Sequence, residues 1–274
     1  MAPRMRRVAG KVGFGLAVGV ILVAALFPFY HAFVTSMATD QGQFGLHYWP
    51  TRLDLENYRI VLGQRGFGRA ALNSLAVAGV TVGGSLVLAL LAAHALVRGG
   101  LRGRGLMLGS ILAVSMFPQV AILAGMFELM RALGLYNTIW AVALAQTAFT
   151  LPFSVWLMTV FLRGLPVEIE EAAVIDGATP WVVVRHLHLP LLAPALAATG
   201  LLAFIGSWNE FLFALTLTIS EDQRTIPVIA AMINPFAFQE AAAASILITL
   251  PAAGLVLVFQ RRIVAGLTAG SLAG

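Results

Sequence analysis

Long uncharged stretches alternate with short charged clusters along this chain. A helix that crosses the hydrocarbon core of a bilayer needs roughly 20 mostly apolar residues. Six runs meet that length, at about 12–36, 70–97, 106–127, 138–162, 190–219 and 241–260. The pattern predicts an all-α integral membrane protein with six transmembrane helices, in a single domain over residues 1–274. Pro28, Pro118, Pro152 and Pro251 fall inside four of the runs. Proline is tolerated there when neighbours re-satisfy the freed carbonyl, so buried, kinked bundle helices are expected. Gly79 and Gly83 form a GxxxG step in the second run, which suits close helix packing.

Arg4, Arg6, Arg7 and Lys11 precede the first run in the manner of a signal peptide. The apolar stretch is longer than a signal core of about 7–15 residues, so it reads as an uncleaved first span. With the N-terminus on the cytoplasmic side, eleven Lys and Arg fall in inner segments and six in outer ones. That bias predicts both termini inside. The long connections are then an outer one near 37–69 and an inner one near 163–189.

Composition agrees with this reading. Hydrophobic residues make up 59% of the chain and charged residues only 11%. Soluble domains carry about a quarter charged residues. The net charge of +5 does not point to nucleic acid, because the cations sit in clusters between apolar runs. The absence of Cys excludes disulfides and thiolate metal sites. The single lysine, Lys11, is followed by Val12, whereas a P-loop needs Gly-Lys-Ser/Thr to reach phosphate and magnesium. If ATP drives this protein, another polypeptide binds it.

The inner connection carries most of the polar content of its face. Pro166 suits the first position of a helix, and Glu168, Glu170 and Glu171 favour the positive end of its dipole. Gly177 can take the left-handed conformation that ends it. Thr179 and Pro180 then start a second helix. The result is a short helix–turn–helix on the membrane surface. It reads either as a docking knob for another protein or as a solvated loop with well-formed caps.

This segment resembles the EAA loop of binding-protein-dependent ABC importer permeases. Glu171-Ala172-Ala173, then Gly177, Leu187 and Leu189-Pro190 keep the spacing of that motif, with Leu187 where it usually has Ile. Asp176-Gly177-Ala178 belongs to the same stretch. Leu55-Glu56-Asn57-Tyr58, Asn73-Ser74, Trp208-Asn209-Glu210-Phe211 and the tail from Gly266 to Gly270 extend the resemblance over nearly the whole chain. They are similar to carbohydrate-uptake permeases of the maltose G-type and trehalose-permease kind. The tail departs from the usual ending, with Gly270-Ser271-Leu272-Ala273-Gly274 in place of Gly-Ala-Val-Lys-Gly.

The resemblance implies a type I ABC importer transmembrane domain that takes no part in ATP hydrolysis. ATP and magnesium would bind two cytoplasmic ATPase subunits. The EAA helix would seat in a groove of one of them, with Glu171 accepting a polar contact and Gly177 forming the sharp turn. Ala172, Ala173, Asp176, Leu187 and Pro190 share that coupling motif. A second, homologous permease chain would complete the pore, and an external substrate-binding protein or lipoprotein would dock outside. The cargo would be a sugar such as trehalose or maltose, although polyol and glycerol phosphate importers share the pattern. The setting would be a bacterial or archaeal cytoplasmic membrane, with lipid around the chain and no nucleic acid.

Polar groups within the runs are few. Glu210 is the only acidic one, and a charge at mid-bilayer costs about 2.5–3.5 kcal/mol on insertion scales, so it should face protein or a water-filled path. Asn209 and Glu210 either line a translocation cavity or bond to a neighbouring helix. Gln119 and Gln146 present the same alternatives. Trp140, Trp156 and Trp208 suit interfacial anchoring or packing, with sugar stacking as the other role. His94 is expected to reach the interface from the inner end of its span. His186 and His188, two apart, should point to different faces and share no metal.

Two other classes fit less well. An ion-coupled secondary transporter or channel needs several buried charges, broken helices or inverted repeats. An intramembrane hydrolase needs a base or metal beside a nucleophile, and no such spacing recurs in the runs.

Overall fold

A computed structural model of the chain describes residues 2–38, 49, 54–64 and 66–271, with side chains from Lys11 to Gln260 within those limits, Gln64 excepted. Arg52, Arg65, Asp40 and the last three tail residues lie outside the described residues, as do the side chains of Arg4, Arg6, Arg7 and the tail from 261. The described residues form helices and loops, with no strand among them. Four helices are long and apolar enough to cross a membrane, and the number reaches six when each of two bent pairs is taken as one span.

The chain divides into two compact units. The first comprises residues 1–65 and 232–250. It holds α1 (Ala2–Ser36), the single turn α2 (Glu56–Arg59) and the start of α13 (Phe238–Ser271). Side chains of α1 from Lys11 to Phe29 are largely exposed, which suits a helix surrounded by lipid. Pro28 sits within α1 and leaves it continuous. Asn57 donates from Nδ2 to the carbonyls of Ser36 (3.0 Å) and Ala38 (3.1 Å), which satisfies the open end of α1. The Ser36 and Tyr58 hydroxyls meet at 2.6 Å. The Asn57-Tyr58 pair in the sequence is thus a clasp on the end of the first helix.

The second unit, residues 66–231 with 251–274, contains the sites of interest. Its centre is the pairing of α3 (Phe67–Arg98) with α6 (Ile139–Arg163), the most extensive helix contact in the unit. Around them lie α4 (Arg104–Ser115), α5 (Gln119–Ala132), α10 (Ala193–Trp208), α11 (Leu212–Leu217) and α12 (Ile226–Ala231). Near the C-terminal ends of α3 and α6 the core is built from Ala89, Leu90, Ala93, Val155, Met158 and Leu162. Near their N-terminal ends it is built from Val77, Ala141, Val142, Ala145, Phe213 and Leu217. Small residues bring the helix backbones together. A Cβ on Gly84 would lie 3.2 Å from Thr147 Cγ2, and one on Gly200 would lie 3.1 Å from Leu86 Cδ1.

Gly79 and Gly83 do not play that part within the chain. A Cβ on either would meet nothing within 4 Å, and both line an apolar cleft of about 460 Å³.

Two of the expected helices are not continuous. The run at 106–127 breaks at Pro118 into α4 and α5, which turn by 92°. Proline has no N–H to donate and pushes the preceding residue out of the helical region. Pro118 itself is extended, with ψ 128°. The run at 190–219 is interrupted at Asn209–Phe211, between α10 and α11. Its start belongs to a separate rod, Pro180–Leu191, made of α8 (Pro180–Val183), a π turn at Val184–His188 and α9 (Leu189–Leu191). That rod meets α10 at 78°.

Candidate functional site

Three parts of the second unit gather its polar side chains. The first is the helix–turn–helix that follows α6. Its first helix, α7, runs over Val167–Ile175. Pro166 occupies the cap position of α7, one residue earlier than its pattern suggests, with ψ 129°. Gly177 adopts φ +86°, the left-handed region that an L side chain enters at a cost. Its N–H bonds to Val174 O at 3.0 Å, and the Ala178 N–H bonds to Ala173 O at 2.9 Å. These two bonds are the paired closure that ends a helix at a glycine. Thr179 stands at the cap of α8 with Pro180 at the first position, but its hydroxyl makes no capping bond.

The motif residues divide by face. Glu171, Ala172, Asp176, Gly177 and Pro190 are exposed, whereas Ala173 and Leu187 are half-buried. Val174 and Ile175 add exposed apolar surface, Ile175 being 85% exposed. Carboxylates beside uncovered aliphatic side chains are what a docking face presents.

Glu170, one residue before that face, points inward and is only 8% exposed. Arg98, at the last position of α3, donates from Nε to Oε1 (2.9 Å) and Oε2 (3.0 Å) of Glu170. Its Nη2 donates to the carbonyls of Leu165 (3.1 Å) and Leu162 (3.4 Å), which satisfies the open end of α6. His188, fully buried in the π turn, places Nε2 3.0 Å from Glu170 Oε1. His94 does not reach outward as its position near a span end suggests. Its ring packs on that of His188, centroids 5.1 Å apart. His186 is exposed and contacts its own helix at Val182 O, so the two loop histidines diverge as their spacing predicts. The sequence pattern suggests separate roles for Glu170, His94 and His188 and gives no sign that they meet one another and Arg98. Part of a signal was present, since His94 and Arg98 are four apart on one helix face. Their partners on other elements left none.

The second part lies at the broken helices. Gln119, Gln146 and the Asn209-Glu210 pair, expected from three separate places in the sequence, line a single cavity of about 420 Å³. Ser115, Thr150 and the rings of Phe149, Phe153 and Phe211 complete it. Glu210 is 7% exposed, and both its oxygens are engaged. Oε1 accepts from Phe213 N (2.6 Å) and Gln119 Nε2 (3.0 Å), and Oε2 accepts from Ala214 N (3.0 Å). It therefore caps α11, where the N-terminal amides favour an anion. Asn209 is exposed and donates back to Ile205 O at 2.8 Å. Gln146 is 4% exposed, and its Oε1 has no partner. Of the tryptophans, Trp208 is buried and stacked on Phe204, Trp156 is half-buried beside Phe153, and Trp140 is exposed.

The third part is at the opposite end of α3. Asn73 Nδ2 donates to the carbonyls of Asp222 (2.7 Å) and Arg224 (2.9 Å). Ser74 Oγ accepts from Ile226 N at 2.9 Å. Asn137, at φ +60°, holds the same segment from the α6 side. Its Oδ1 accepts from Ile219 N and Ser220 N at 2.8 and 2.9 Å.

Comparison with known proteins finds relatives over most of the chain. Residues 85–268 match the family described as binding-protein-dependent transport system inner membrane component. The chain is 35% identical to the trehalose transport system permease protein SugB of Mycobacterium tuberculosis, over 94% of this chain and 95% of that one. It is 38% identical to the trehalose/maltose transport system permease protein MalG of Thermococcus litoralis, over 94% and 96%. It is 36% identical to the sulfoquinovosyl glycerol transport system permease protein SmoH of Agrobacterium fabrum, over 97% and 95%. Among solved structures, a bacterial ABC transporter involved in the import of the acidic polysaccharide alginate shares the fold. Its TM-score is 0.79 at 24% identity, covering 95% of this chain and 98% of that one.

Proposed function

The chain belongs to the family of binding-protein-dependent transport system inner membrane components, and from that premise we propose that it is one of two permease subunits of an ATP-driven importer for a di- or oligosaccharide. The observation that carries the proposal is the exposed face of α7, with Glu171, Val174 and Ile175 ahead of the left-handed turn at Gly177. This face takes the ATPase subunit. Ala172, Ala173, Asp176, Leu187 and Pro190 shape the same contact. ATP and magnesium bind two ATPase partners, and an external binding protein or lipoprotein delivers the solute. The chain spans the cytoplasmic membrane of a bacterium or archaeon with both termini inside.

The cavity at Gln119, Gln146, Asn209 and Glu210 lies on the solute path. Amides, hydroxyls and aromatic rings suit a neutral, polyhydroxylated solute. No cation is present among the described residues that line it, which disfavours an anionic cargo. The names of the relatives favour trehalose or maltose within that class. Uptake of labelled trehalose and maltose into proteoliposomes of the assembled complex tests the reading. ATP-dependent uptake of either sugar that survives an uncoupler supports it. Uptake driven by an ion gradient without ATP rejects it.

A further inference from the structure

The helix α3 is held at both ends by hydrogen bonds to segments far away in the chain. At one end Arg98 grips both carboxylate oxygens of Glu170 in α7. At the other end Asn73 and Ser74 grip the main chain of Asp222, Arg224 and Ile226. Between them α3 is one uninterrupted helix without proline. About 38 Å of helix separates Asn73 from Arg98 at 1.5 Å per residue. Its length is backed by α6 through both core clusters, which resists bending.

The character of the two grips is informative. Arg98 uses a planar fork on a carboxylate, a contact with fixed orientation. Asn73 binds main-chain carbonyls, so it holds the path of the segment 218–226 and not merely a flexible side chain. Asn137 fixes that segment from the α6 side. A displacement of α7 along the α3 axis loads these bonds at both ends of the helix.

We propose that α3 is a rigid strut carrying movement of α7 to the segment 218–226, with Arg98 and Asn73 as the positioning residues at its two ends. The proposal rests on the reading of the chain as a permease subunit, in which the ATPase moves α7. Coupling of this kind is reciprocal in binding free energy. An external protein that displaces 218–226 therefore alters the ATPase contact at α7.

The chain has no cysteine, so a single cysteine at Ile219, which is 60% exposed, can carry an environment-sensitive fluorophore. The assembled complex is treated with ATP and vanadate, and trapped nucleotide is measured in the same samples. The expected result is a spectral change at I219C, reduced by more than half in Arg98→Gln and in Asn73→Ala. The double variant loses no more than the more severe single one, because the two grips act in series. Sites this far apart are otherwise expected to act independently. Full retention of the change in a single variant that traps nucleotide overturns the strut, and so do losses that multiply in the double variant. If Arg98→Gln fails to trap nucleotide, Asn73→Ala alone decides. A wild-type complex that traps nucleotide without a change at I219C also rejects the strut. A wild-type chain that recruits no ATPase rejects the functional reading instead.

Discussion

Glu170 and Glu171 are neighbours in sequence and lie on different faces of α7, one buried and one exposed. Glu171 is exposed on the outer face of α7, while Glu170 is buried against Arg98 and His188. Successive positions on a helix differ by about 100°, which is enough to separate the two roles. One carboxylate lies open at the surface, and the other fastens the helix to α3.

Substitution should separate them. Removing one member of a buried ion pair costs about 3–5 kcal/mol. Glu170→Ala is expected to lower the Tm of the detergent-solubilised chain by several degrees. Glu171→Ala is expected to leave Tm unchanged while abolishing recovery of the ATPase on purification. Thermal unfolding and affinity purification of both variants check this, and an exchange of the two phenotypes contradicts the assignment.

At Gly177 the constraint is the backbone alone, since a Cβ there would meet nothing within 4 Å. Gly177→Val should strain the turn by about 1–2 kcal/mol and impair uptake with membrane insertion intact. Gly177→Asn, whose side chain tolerates the left-handed region, should retain most of the uptake. Equal activity of the two in an uptake assay argues against a role for this turn geometry.

In the cavity, Gln146 and Glu210 should respond differently. Glu210→Gln cannot reproduce two charged acceptors, so the α11 cap weakens and stability falls by about 1 kcal/mol. Gln146→Leu removes an unpartnered acceptor and should leave stability intact. The KM for sugar uptake should then rise about fivefold, the value of one hydrogen bond of about 1 kcal/mol. An unchanged KM in Gln146→Leu removes this residue from the solute path.

The glycines of α3 give a packing test. Thr147 Oγ1 donates to Ala143 O at 2.6 Å, which fixes the methyl that a Cβ on Gly84 would press. Gly84→Ala should destabilise by about 1–3 kcal/mol. Gly79→Ala meets open space and should be neutral or stabilising, given the higher helix propensity of alanine. Thermal unfolding of the isolated chain distinguishes them.

Much of this architecture was legible in the sequence because it is local. Uncharged runs locate the long helices, and Gly177 with its flanking residues announces the turn between α7 and α8. The family resemblance also rests on fixed local spacing. The break at Pro118 was half legible. A proline inside an apolar run signals a disturbance, but a kink and a 92° turn carry the same signal. The Arg98–Glu170–His188 contact was not legible, since it joins three elements, and 72 positions separate Arg98 from Glu170. The convergence of Gln119, Gln146 and Glu210 was hidden for the same reason. Each looked like an isolated polar residue until the broken helices brought them together. Asn73 and Asn57 stand in segments that carry the family resemblance, but only the fold shows them as clasps on main-chain carbonyls.

A subunit driven by a separate ATPase should leave the membrane together with it. Affinity purification of the tagged chain in mild detergent, with mass spectrometry of the proteins that accompany it, is the measurement that decides this. A P-loop ATPase and a second, homologous permease chain are expected to accompany it. Recovery of the intact, folded chain alone, or only with copies of itself, would contradict a subunit role.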